Sequence, residues 1–101
     1  MIVIHATFPV DPEKREHAVE QMQELAAQSR EESGVIEYEV AADIDDPNCF
    51  RFTERYEDEA AFGAHSQTDH FGEFAAALPE FLAGEPEIMR YDVESASEVE
   101  L

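Results

Sequence analysis

FTERYEDEAAFGAHSQTDHF, residues 52–71, begins in one periodicity and ends in another. Phe52, Glu54 and Tyr56 alternate with Thr53 and Arg55, the period of a strand. Glu57-Asp58-Glu59 then opens a short helix with acids at its positive end. Ala61, Phe62 and His65 fall at i, i+1 and i+4, so His65 is expected to point inward with the apolar residues. Thr68 or Asp69 caps a further helix. The apolar face of the strand holds a single acid, Glu54, and the fold turns on which layer that face meets.

Working outward, residues 2–8 (IVIHATF) form a strand with Ile2, Ile4, Ala6 and Phe8 on one face. Asp11-Pro12-Glu13 is a helix start, with an acceptor at the cap and proline at the first helical position. Ala18, Met22, Leu25, Ala26 and Ser29 make one stripe along that helix. Gly34 is expected to close it in the left-handed conformation. Residues 35–42 (VIEYEVAA) place Ile36, Tyr38, Val40 and Ala42 on one face and Glu37 and Glu39 on the other. DIDDPN (43–48) turns the chain back into a strand over 49–56. Phe71, Phe74, Ala75, Leu78 and Leu82 are the predicted stripe of the later helix, which Pro79 should bend. Residues 87–94 (EIMRYDVE) are the last strand, with Met89, Tyr91 and Val93 inward.

The order is β-α-β-β-α-β with the second helical region broken in two. It predicts an α+β, ferredoxin-like domain over residues 1–101, a four-stranded antiparallel sheet with the helices on one face. The inward parity set lies beneath the helices, and Glu54 is its only acid. The outward set carries three of the five arginines, Arg51, Arg55 and Arg90, in a chain with 25 acidic residues and a net charge of −19. Arg51 and Arg55 are expected opposite Glu39 and Glu37. Such internal charge balance suits a face that packs on its twofold copy, so a homodimer through the open sheet face is expected. His5 falls in that face, and His17 faces solvent among acids.

The acidity makes nucleic acid and anionic membrane surfaces poor partners. Self-repulsion of this size is best tolerated in concentrated salt, so a halophilic source is expected. No apolar run is long enough to span a bilayer, and the lone Cys49 fits a reducing cytoplasm.

A carboxyl on an apolar face is costly unless it is hydrogen-bonded or protonated. Tyr38 is expected opposite Glu54 as a donor, and Glu54 and His65 are expected to meet in a space lined by Tyr38, Phe52, Tyr56, Phe71 and Tyr91. Burial of that kind poises a carboxylate as a general base near neutrality, while spacing alone reads as well as Glu54 and His65 satisfying each other or bonding to helix-start amides. His70 is expected in the entrance or wall. His65, His70 and Glu73 invite a metal reading, but i to i+5 sets the two histidines about 140° apart on a continuous helix. Only a break near Thr68 would change that, and no metal ligand is assigned.

The run ESGVIEYEVAADIDDPNCFRFTERYEDEAAFGAHSQTDHF (32–71) resembles the antibiotic biosynthesis monooxygenase domain family, including small quinol-monooxygenase-like proteins. Gly34, Tyr38, Val40, Asp46-Pro47, Phe50, Glu54, Tyr56, Asp58, Ala60 or Ala61, His65 and His70-Phe71 carry the likeness. Tyr56 stands where the family commonly has tryptophan, and Thr68 where it has serine. The resemblance implies a dimeric α+β barrel and an oxygenase without flavin, haem or metal, acting on a small phenolic or quinol-type aromatic with molecular oxygen. It implies Glu54 and His65 as the acid/base pair, with Tyr38 and His70 orienting substrate. Haem-degrading relatives have an axial histidine on the last helix, and FGEFAAALPEF (71–81) has none. A proton-transfer isomerase using the same pocket, and a non-catalytic ligand-binding or stress-related dimer, are the alternatives.

Overall fold

A computed structural model describes residues 1–101. Strand β1 (Ile2–Pro9) leads through a 3-10 turn (Pro12–Lys14) into helix α1 (Arg15–Arg30). Strands β2 (Val35–Ala42) and β3 (Cys49–Tyr56) form a hairpin. Helices α2 (Glu59–Ser66) and α3 (Asp69–Phe81) follow, and strand β4 (Glu87–Asp92) ends the regular structure. The strands make one antiparallel sheet in the order β2-β3-β1-β4, the ferredoxin-like arrangement.

The helix starts follow the capping logic of the sequence. Asp11 accepts from the Glu13 amide, Asp58 from the Ala61 amide at 2.8 Å and Thr68 from the Phe71 amide. The α1 stripe is buried throughout, at Ala18, Met22, Leu25, Ala26 and Ser29. It packs on Phe8, Phe50 and Phe52 of the sheet and Phe74 and Phe81 of α3. Each such ring, once buried, contributes about 1.5–3 kcal/mol.

Five expectations are corrected. Gly34 is not left-handed, since no residue has positive φ. The helix ends at Arg30, and Gly34 is needed because a methyl there would overlap the Cβ of Ala61 and stand 3.3 Å from its Cα. A bulge between Val35 and Glu37 brings Val35 to the core and leaves Ile36 exposed. On α3 the buried residues are Phe74 and Phe81, with Ala77 and Leu78 packed beside them, while Ala75 is exposed. Arg51 pairs with Asp43 rather than Glu39, which instead meets Arg30, and only Arg55 takes its expected partner, Glu37, at 2.9 Å.

The largest correction is β4. Its register sets Ile88, Arg90 and Asp92 opposite Ala6, Ile4 and Ile2, so these three share the helical side. Met89 and Tyr91 sit opposite His5 and Val3 on the open face. The parity is one residue from that expected, which turns every side chain over. The cause is visible in EIMRYD: apolar residues fall on both alternations, and all six positions of this edge strand are exposed. Burial therefore has little hold on its register. Arg90 leaves the open face as a result, pairs with Glu59 of α2 and lies over the Phe62 ring.

The close approach at Gly34 gives a direct test. Gly34→Ala should lose about 1–3 kcal/mol in urea unfolding, and Ala61→Gly in the same chain should recover part of it. Additive losses in the double variant would contradict the contact.

Candidate functional site

The site begins with Glu54. Its position on β3, between inward-facing Phe52 and Tyr56, turns the side chain under the helices, where 6% remains exposed. The Tyr56 hydroxyl donates to Oε1 at 2.5 Å. Tyr38 is opposite Glu54 in the β2–β3 register, as the hairpin count required. Burial pushes the Glu54 carboxyl up to about 7, the Tyr56 and Tyr38 hydroxyls restrain that rise, and the nearby Glu32 charge adds to it. Both phenols are themselves raised, first by burial and then by the Glu54 charge. Both stay un-ionised, and the Tyr56 hydroxyl is the one that donates to Glu54.

His65, on α2, is 1% exposed and its ring stands against Tyr38, Tyr56 and Phe71 at centroid distances of 5.4, 5.3 and 5.2 Å. The expected hydrogen-bonded pair with Glu54 is not formed. His65 Nδ1 donates instead to Oε2 of Glu32 at 2.8 Å, and His70 Nε2 donates to the same oxygen at 2.7 Å. The break between α2 and α3 at Gln67–Thr68 lets residues five apart converge: the Thr68 hydroxyl and amide both bond to the His65 carbonyl. The third member of the cluster is Glu32, not Glu73, which is exposed. An imidazole whose Nδ1–H is committed to a carboxylate has Nε2 as the nitrogen left for a second partner.

A cavity of about 150 Å³ lies between sheet and helices, lined by Tyr38, Phe52, Glu54, His65, Phe71 and Phe74 together with Ile4, Ala6, Phe8, Leu25, Phe62, Ser66 and Ile88. Ile88 is 59% exposed, so the cavity reaches the surface beside β4. Tyr38, Phe52 and Phe71 therefore stand where expected. Tyr56 is behind Glu54 as its donor, and His70 is behind His65, on the far side of Glu32. Tyr91 is on the opposite face of the sheet, edge-on to His5 at 5.3 Å, and takes no part. A larger cleft of about 250 Å³ between α1 and β2 has Arg30 as its one charged lining residue and no base.

Sequence reasoning missed Glu32, Phe62, Phe74 and Ile88 as members of this site. Phe74 was assigned to the core stripe, and Ile88 was lost with the β4 parity. Glu32 sits in the connection after α1, beyond the reach of a periodicity argument. Its one signal is its place two residues before Gly34, at the head of the run that carries the resemblance.

Residues 1–77 match the family described as antibiotic biosynthesis monooxygenase. "Putative monooxygenase YcnE" of Bacillus subtilis (strain 168) is 36% identical over 93 residues, 92% of this chain and 98% of that protein. The crystal structure of a conserved protein from Methanosarcina mazei Go1 is 31% identical with a TM-score of 0.85, covering 89% of each chain. The crystal structure of an antibiotic biosynthesis monooxygenase shares the fold at a TM-score of 0.87, with 24% identity over 94% of this chain and 100% of that one.

The raised Glu54 carboxyl has a stability signature. With a folded value of about 7 against an ordinary 4.5, the folded state keeps a proton that the unfolded chain releases between those values. Stability therefore falls as pH rises from 4.5 to 7 and levels off above, a loss of about 3 kcal/mol at about 1.4 kcal/mol per pH unit. Glu54→Gln, which cannot ionise and still accepts from Tyr56, should remove that contribution. Urea unfolding should find the variant more stable than the parent by up to about 3 kcal/mol at pH 8 and within about 1 kcal/mol at pH 4.5. Parallel pH profiles in the two proteins would contradict the assignment.

Proposed function

The chain belongs to the antibiotic biosynthesis monooxygenase family, and from that premise we propose that it is a monooxygenase of a single-ring phenol or quinol, with the substrate as its own reductant. The observation that carries this reading is a carboxyl buried in a mostly apolar cavity that it shares with His65 and Ser66, where burial pushes it up to about 7. The cavity volume is on the scale that admits a benzene-sized ring, about 150 Å³, which favours one ring over a polycyclic substrate.

The chemistry asks little of the protein beyond a base and a dry space. Ground-state oxygen is a triplet and adds slowly to a closed-shell molecule. Glu54, ionised above its pKa, takes the proton of a substrate hydroxyl. The resulting anion passes one electron to oxygen, and the two radicals combine at a ring carbon. Loss of that carbon's proton then breaks the O–O bond, leaving a new carbonyl and releasing water. For a quinol the balance is quinol plus oxygen to hydroxyquinone plus water, with both electrons for the second oxygen atom coming from the substrate. His65, its Nδ1 held by Glu32, offers Nε2 as acceptor for a second proton. Phe52, Phe71 and Phe74 keep bulk water from the radical pair. Tyr56 donates to the carboxyl, and both it and Tyr38 across the hairpin restrain its basicity.

We propose further that the open sheet face packs on a second copy. Met89 and Tyr91 are 45% and 42% exposed on that face, and Ile36, turned out by the bulge, is 44% exposed.

An oxygen electrode with a panel of single-ring quinols tests the activity. Uptake should survive chelators, match substrate one to one and rise through about pH 7 as Glu54 ionises. Glu54→Gln should lower it by about a hundredfold or more. No uptake across the panel, or full uptake in Glu54→Gln, would overturn the proposal.

A further inference from the structure

Glu32, His65 and His70 come from three separate segments, yet their donor atoms lie within 4.8 Å of one another. We infer that these three side chains form a binding site for one divalent first-row transition ion of the Zn²⁺ type. Two imidazoles and a carboxylate are a recurrent zinc donor set, with a fourth position left for water. Around tetrahedral zinc, at about 2.0–2.1 Å per ligand, neighbouring donors stand about 3.3 Å apart. Here Glu32 Oε2 is 2.8 Å from His65 Nδ1 and 2.7 Å from His70 Nε2. To admit the ion the carboxylate oxygen backs away from each nitrogen by about half an ångström, while the two nitrogens, within 4.8 Å of one another, close toward the same spacing.

The surroundings favour a cation. A surface depression lined by Glu32, Glu57 and Asp58 opens on the Glu32 member of the cluster, and the side chains of Glu32 and His70 keep 17% exposure. The chain's charge of −19 concentrates divalent cations around it. Hard-oxygen ions such as Mg²⁺ and Ca²⁺ fit poorly, because two of the three donors are imidazole nitrogens.

Binding requires the lone pairs that the two rings now cover with protons. His65 gives up Nδ1–H and carries its proton on Nε2, and His70 makes the converse exchange. On the reading of His65 as a proton acceptor proposed above, the ion then blocks turnover, because Nε2 becomes a donor. The site itself does not depend on that reading.

Co²⁺ titration of metal-free protein, followed by visible absorption, reports binding without any turnover. One equivalent should produce the intense bands of four-coordinate Co²⁺, and Zn²⁺ should displace them. His70→Ala and Glu32→Gln, each checked for native far-UV circular dichroism, should weaken binding by more than about a hundredfold, beyond the ~10–100-fold that loss of an outer-shell partner costs. His17→Ala, which alters a histidine outside the cluster, should bind as the parent does. Absence of the bands in the parent protein, or their survival in His70→Ala, would overturn the inference. Weak multi-site uptake unchanged by all three substitutions would do the same, because it would place the ions on the dispersed acids.

Discussion

Covering a carboxyl group with three helices is unfavourable unless something answers its charge, and most of this site follows from how Glu54 is accommodated. No cation reaches it. The Tyr56 hydroxyl, two residues along the same strand, supplies the one short hydrogen bond, at 2.5 Å. Tyr38 stands across the hairpin, and both phenols are held neutral by the same burial. Two neutral phenols offset only part of the desolvation, so the carboxyl settles between its charged and neutral forms near pH 7. The arrangement is costly to the fold and useful to a proton-transfer site for the same reason.

Glu32, outside the cavity lining, plays the complementary part behind His65. It ties the connection after α1 to α2 and α3 through one carboxylate oxygen shared by two imidazoles. That shared oxygen fixes the tautomer of His65 and the angle between the two short helices at the Thr68 break. The approach of α2 to the β2 entrance, which admits no methyl at Gly34, keeps Glu32 close enough to do so. Local backbone economy and site geometry are thus one requirement.

How much of this could be read from the residues depended on how strongly burial constrained each element. The β1 and β3 alternations and the α1 stripe were legible because each has one continuous apolar side facing a full layer. Glu54 was legible for the same reason, as an acid in an otherwise apolar row. β4 was not, because an exposed edge strand with isoleucine and methionine adjacent offers two parities of similar merit. That ambiguity sent Tyr91 to the wrong face and hid Ile88 and the Arg90–Glu59 pair. The partner of His65 was missed because the competing acid, Glu32, lies in a connection whose path no periodicity describes. Glu54 and His65 line the same cavity, but each is satisfied by a different group.

The surface charge and the buried charge obey different rules. Most of the 25 acids are solvated, and their mutual repulsion is screened by salt. Glu54 is sheltered from that screening, so its ionisation responds to its own burial and its two phenols. The most direct measurement is the carboxyl carbon shift of Glu54, assigned in isotope-labelled protein by comparison with Glu54→Gln and followed from pH 3 to 9. The account predicts a midpoint near 7. A midpoint near 4.5, that of an ordinary solvated glutamate, would contradict it.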